Sequence, residues 1–177
     1  VSFVDPGDRT PMLHTWNFNI QREVLPGAVL QVGYVGSRGI KLVPGGQWST
    51  GDPEQLNQLH PSYLAEGAAL LQTVDNPFYG FFASGPLAGP RVQRQQLLRP
   101  YPQFGNVTRL YGGYGNSVYH ALQSKLETRI GSSFNTIITY TWTKNISDIA
   151  RVQNHYDRRA SRSLGQFDAP HRLTITG

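Results

Sequence analysis

Five histidines, one group of arginines and one run of aromatics are the residues here with the clearest chemical potential. His14, His60, His120, His155 and His171 stand far apart, with no H-E-x-x-H motif and no i,i+4 helical pair, so their spacing does not build a metal centre. His120 and Ser124 come nearest to a base and its nucleophile. On one extended strand, four residues at about 3.3 Å each hold them roughly 13 Å apart, whereas the chemistry needs about 3 Å. Such a pair would need a partner from a neighbouring strand. No nucleophile, base and orienting acid converge, no cofactor is implied, and a non-enzymatic protein is expected. "YGGYGN" (Tyr111–Asn116) lacks the G-x-G-x-x-G spacing and precedes a strand, so it reads as a loop and not a phosphate cradle. "DPGDR" (Asp5–Arg9) offers too few oxygen ligands for calcium and reads as a turn.

Two groups remain. Arg151, Arg158, Arg159 and Arg162 form the densest basic cluster. Such a group is ordinarily a solvated loop, but guanidinium forks also match the oxygens of a phosphate or an acidic ligand. Phe78, Tyr79, Phe81 and Phe82 either pack their loop on itself, which is the expectation, or form a ligand platform.

The elements that must carry these residues are strands. In "HTWNFNIQREV", Trp16, Phe18, Ile20 and Val24 alternate with Thr15, Asn17, Asn19, Gln21 and Glu23, a period of two that separates an oily face from a wet one. A turn at Leu25–Gly27 leads to Ala28, Leu30, Val32 and Tyr34 on the same oily side. A three-residue loop there would pair Val24 with Ala28, Ile20 with Val32 and Phe18 with Tyr34. A second hairpin spans about 117–144: Val118, His120, Leu122 and Leu126 share a face, as do Phe134, Ile138, Tyr140 and Trp142. An odd-length loop, of three or five residues, keeps oil facing oil across it. A fifth strand starts near His171.

Two hairpins, about 14–42 and 117–144, are thus joined by long loops, about 43–116 and 145–170. The first is far longer than the roughly 15 residues an ordinary domain tolerates without structure. A short helix is expected in it, in "SYLAEGAALLQTV" after Pro61, weakened by Gly67 and ended by "DNP".

Alternation alone does not say whether the oil is a protein core or a bilayer. With 38% hydrophobic residues, 19 Gly and 12 Pro, the chain is poor in core material and rich in turns. Cysteine is absent, which removes disulfide frameworks, and the net charge of +5 is too scattered for a nucleic-acid stripe. No run of about 18 apolar residues provides a transmembrane helix, which leaves a β-barrel open. Strands of about 11 residues suit a tilted crossing of a bilayer and exceed the 5–6 usual in soluble sheets. Short turns at one end and long loops at the other match outer-membrane barrels, and Trp16, Tyr34, Tyr140 and Trp142 fall where an aromatic girdle would sit. Arg22, near the short turns, can snorkel to headgroups and Lys144 lies at the opposite rim, while Ser124 and Thr136 are polar blemishes on the oily face. The fold class expected is all-β: about five strands of an antiparallel up-and-down transmembrane barrel, incomplete, with long external loops. The alternative is a soluble β-sandwich that binds carbohydrate or a similar ligand.

"WNFNIQREVLPGAVLQVGYVGSRGIKL", "NPFYG", "RPYPQFGNV", "SVYHALQSKLETR", "YTWTKNISD" and "FDAPHRLTI" closely resemble the barrel of TonB-dependent receptors, in the Oar-like, carboxypeptidase-regulatory-like group. The resemblance spans nearly the whole chain. It implies a 22-stranded barrel of the Gram-negative outer membrane, an N-terminal plug, a TonB-binding segment and energy-coupled uptake of a bulky nutrient. The implied partners are outer-membrane lipid, the TonB complex and a nutrient ligand, with no nucleic acid. Plug and TonB-binding segment are expected outside these residues, which read as a piece of something longer. Lipopolysaccharide phosphates then become one acidic partner for the Arg group.

Overall fold

Alternation of apolar and polar residues favours extended chain, and extended chain must pair its backbone N–H and C=O groups with neighbours. In the computed structural model, which describes residues 1–44, 54–130, 134–149, 154–165 and 168–177, this produces one continuous wall. Its strands are β1 (Met12–Leu25), β2 (Ala28–Leu42), β3 (Gly115–Ile130), β4 (Phe134–Ser147) and β5 (His171–Thr176). Each pairs antiparallel with the next in sequence, an up-and-down order that is not closed into a ring. The short strand Ser163–Leu164 also pairs with β4, near its C-terminal end.

The register sorts side chains as the alternation predicts. Phe18, Tyr34, Leu122, Trp142 and His171 lie in one row across the five strands. The next row holds Ile20, Val32, Ser124, Tyr140 and Leu173, and the one after it Arg22, Leu30, Leu126, Ile138 and Ile175. The opposite face carries rows such as Asn19, Gly33, Gln123, Thr141 and Arg172.

One detail of the first turn differs. Ile20 pairs with Val32 and Phe18 with Tyr34, but it is Leu25 that opposes Ala28, because the register shifts between Glu23 and Leu25. That irregularity inserts the extra residue a tight turn needs, and Gly27 takes a left-handed φ of 75°. A Cβ at Gly27 would lie 2.9 Å from the carbonyl oxygen of Arg129, which receives no such atom from glycine. In the second hairpin Ile130 opposes Phe134, leaving three residues between them, 131–133, outside the described residues.

The chain divides into two compact units. One holds the wall: Thr10–Leu42, Gly113–Ala150 and Arg162–Gly177. The other gathers Val1–Arg9, Val43–Gly112 and Arg151–Ser161. There, Thr108–Leu110 pairs parallel with Ser2–Val4 and antiparallel with Glu54–Gln55, while Thr73–Asp75 pairs with Arg91–Gln93. The long loop expected from the sequence therefore has structure of its own. Its helix is a 3₁₀ segment, Pro61–Leu71, broken at Gly67 (φ 53°, ψ −125°), with the imidazole of His60 accepting from the Ser62 N–H at its start. Thr73 and Val74, expected to be helical, are strand residues, as the β-branching of both favours. One helical turn, α1 (Arg94–Leu97), was not foreseen.

Candidate functional site

The apolar face of the wall is uncovered. Phe18 and Leu173, at opposite edges of the sheet, are each 63% exposed, and Trp16, Ile20, Val32, Leu122, Tyr140 and Ile175 are also exposed. A sandwich would bury these side chains, so the soluble alternative does not fit. From the row of Trp16 to that of Val24 is eight residues of β1. At about 3.3 Å per residue and a tilt near 40°, the band is about 20 Å tall, close to the ~25 Å apolar belt of outer-membrane barrels.

The four aromatics singled out by sequence all lie on this face, within three successive rows. Trp16 lays its indole over Gly36, where a Cβ would collide with the ring. Tyr34 bonds through its hydroxyl to Nδ1 of His120 at 2.6 Å, and Tyr140 does the same with His171 at 2.8 Å. Both pairs run diagonally between neighbouring strands and stack their rings, with centroids 6.1 and 6.2 Å apart. Sequence reasoning missed these partners, although tyrosine and histidine on adjacent rows of one face are the signal. The Ser124 hydroxyl donates to the Tyr140 carbonyl at 3.4 Å, so this blemish is satisfied within the sheet. Thr136 faces Thr128, a cross-strand threonine pair toward the short-turn end. His120 and Ser124 thus have separate partners and are not brought together.

The polar face is hollowed into a groove lined by Asn19, Gln31, Gln123, Lys125, Thr141 and Arg172, among others. Its chemistry is amide and hydroxyl with two cations, Arg172 and Lys125, the latter paired to Glu127 at 2.9 Å.

The Arg group is not one site. Arg151 lies outside the described residues. Arg158 belongs to the unit containing Val43–Gly112, where it pairs with the fully buried carboxylate of Glu54. Arg109 reaches the same carboxylate at 3.6 Å, and Nδ1 of His155 lies 3.7 Å from it. Arg109 also forks onto Asp8 and lies 3.2 Å from Asp5. The hydrogen bond it donates to Asp8, opposed by burial and aided by the charges of Asp8, Asp5 and Glu54, holds the Arg109 guanidinium above its ordinary pKa. This network joins the Ser2–Val4 region, Glu54, Thr108–Leu110 and the Arg158 turn. Arg159 is exposed in the same unit, whereas Arg162 belongs to the wall unit and lines a hollow with Trp16 and Arg38. "DPGDR" is a turn, with Asp5 accepting from the Gly7 N–H at 2.8 Å.

The aromatic run is presented outward, contrary to the expectation that it packs its loop. Phe81 is 80% exposed, and Phe78, Tyr79 and Phe82 are exposed too. Beneath them the buried Asn76 donates to the carbonyls of Leu87 (2.8 Å) and Gly89 (2.7 Å) and accepts from the Phe78 N–H (3.0 Å), with Leu87 fully buried. The staple holds the backbone while the rings point to solvent.

An open, single-layered antiparallel wall with one greasy face and one wet face is the architecture of an outer-membrane β-barrel. The model of the family described as Outer membrane beta barrel domain matches residues 1–177. The chain belongs to that family, whose place is the bacterial outer membrane. No curated protein and no solved structure matches it.

Proposed function

We propose that this chain forms part of the barrel wall and external loops of a TonB-dependent, Oar-like receptor of the Gram-negative envelope, which takes up a bulky nutrient without catalysis. The observation that carries this is the juxtaposition, on one wall, of an uncovered apolar face and a hollowed polar face. The first suits lipid and the second a hydrated passage. Open edges in hydrocarbon leave backbone groups unpaired, so the wall functions only when further strands complete the ring. The resemblance of the motifs to the receptor group supports the choice among barrels. Trp16, Tyr34, Tyr140 and Trp142 serve as the interfacial girdle, and the stapled loop bearing Phe78, Tyr79, Phe81 and Phe82 is the ligand-contacting platform. TonB, outer-membrane lipid and the nutrient are the partners.

Two measurements test this. The full-length barrel in detergent is titrated with the periplasmic domain of TonB, and saturable binding is expected; none at high concentration overturns the TonB assignment. These 177 residues contain no cysteine, so single cysteines placed among them, compared with the unsubstituted full-length protein, report orientation. Ser84→Cys, in the aromatic loop, should react with an impermeant maleimide on intact cells, and Pro26→Cys, in the short turn, should not. The reverse pattern overturns the external placement.

A further inference from the structure

We propose that the rim of the wall's apolar face carries a binding site for the phosphate groups of a phosphorylated outer-leaflet glycolipid of the lipid A type. The choice of leaflet rests on the orientation proposed above. The site follows from what the register stacks at the end of the greasy band. Above the rows of aromatics come Trp16, Gly36, His120 and Lys144, and above those His14, Arg38, Val118 and Ile146. Two cations, Lys144 and Arg38, thus enter within two rows beside Trp16, Val118 and Ile146, on the face that meets lipid. That is the depth at which a bilayer changes from acyl chain to headgroup phosphate, and where long basic side chains are stable.

The same rows are indented. A hollow of about 510 Å³ has Trp16, Val118 and Ile146 as its apolar lining and Arg38 and Arg162 as its guanidinium groups. Ligand clefts generally span about 300–1,000 Å³, so a sugar phosphate fits. The lining also includes one carboxylate, Asp148. Its two oxygens accept from the backbone N–H and, at 3.2 Å, the side-chain amide of Asn116, so it is held by the wall itself. Among the described residues, neither Arg38 nor Arg162 has an ion-pair partner, and both are exposed. Two planar forks on an apolar floor suit a phosphate attached to a lipid, because forks match its oxygens while the floor receives the hydrophobic remainder. Dissolved phosphate would use the forks alone. Of the Arg group read from sequence, it is Arg162 that takes this role, and Arg38, from the first hairpin, that completes it.

The test uses the full-length barrel in phosphatidylcholine nanodiscs doped with bisphosphorylated or dephosphorylated lipid A, with retained lipid counted by native mass spectrometry. The bisphosphorylated form should be preferred by about tenfold, the scale of one or two charge-assisted hydrogen bonds. Arg38→Gln with Arg162→Gln should erase the preference while the protein keeps its heat-modifiable gel migration. Arg38→Lys with Arg162→Lys, which keeps charge and removes the forks, should retain an intermediate preference and serves if the first variant misfolds. Equal retention of both lipids, an undiminished preference in the Gln variant, or displacement by millimolar inorganic phosphate would each overturn the site. Labelling of Ser84→Cys reads orientation separately: outward labelling without lipid preference sinks the groove and leaves the receptor proposal standing.

Discussion

Among the described residues, the buried apolar side chains of the wall unit are Ala28 and Ala121; those of the unit containing Val43–Gly112 are Pro44, Leu70, Leu87, Val92 and Val107. The buried polar groups divide just as unevenly, with Glu54, Asn57 and Asn76 in the second unit and Ser147 in the wall. The wall has almost no interior, and its large apolar side chains point outward. The other unit buries a few aliphatics and fixes irregular backbone with amide side chains. Asn57, for example, donates to the carbonyls of Tyr101, Phe104 and Gly105 at 2.9, 2.8 and 2.9 Å and accepts from the Tyr101 N–H at 2.9 Å. One chain thus holds together in two different ways. Backbone pairing and lipid stabilise the wall; internal polar staples stabilise the rest.

The contrast can be broken most strongly at Glu54. Glu54→Ala takes the shared partner from Arg158, which is partly exposed, and from Arg109, which keeps Asp8 and Asp5, and it empties a fully buried position; a loss of about 2–4 kcal/mol is expected. Hydrogen exchange should accelerate in Thr108–Leu110 and leave β2 and β3 protected; equal loss in both would mean that the units do not unfold separately. Next comes a test of the wall alone. Val32→Arg, in the middle of the greasy band, should cost about 2–4 kcal/mol on folding into vesicles, and Gln31→Arg, one residue away on the wet face, well under ~1 kcal/mol. Guanidinium titration of the full-length barrel measures both, and equal costs would remove the assignment of faces. The smallest effect is expected for Ser124→Ala. Its hydroxyl makes one long bond on a lipid-facing row, so a change below about 1 kcal/mol should appear in the same titration.

How much of this was legible in the sequence follows the same division. Period-two alternation needs only local order, and it located the four long strands, their faces and most of their register from Trp16, Phe18, Ile20 and their partners. It did not show that the register slips between Glu23 and Leu25, because turn geometry decides that. The unit around Val43–Gly112 was nearly opaque. Asn57 gains its role from carbonyls more than forty positions away, Glu54 from Arg158 over a hundred positions on, and no local pattern announces either. The aromatic run was visible as a cluster, but its outward pose depends on Asn76 holding the loop from beneath. The Arg group misled for a related reason: nearness in sequence placed Arg158 and Arg162 together, while folding gave one to Glu54 and the other to the hollow beside Trp16.

The strands β1 to β4 run 14, 15, 16 and 14 residues, and a tilted crossing of hydrocarbon uses only about 9–11. Some four or five residues per strand, roughly 15 Å of chain at 3.3 Å each and about 11 Å in height at a tilt near 40°, therefore stand clear of the acyl layer as a paired collar. A collar of that height separates two kinds of change. Insertions or replacements in the connections beyond it never have to be compatible with lipid, so those connections can be exchanged wholesale while the membrane-crossing staves stay as they are.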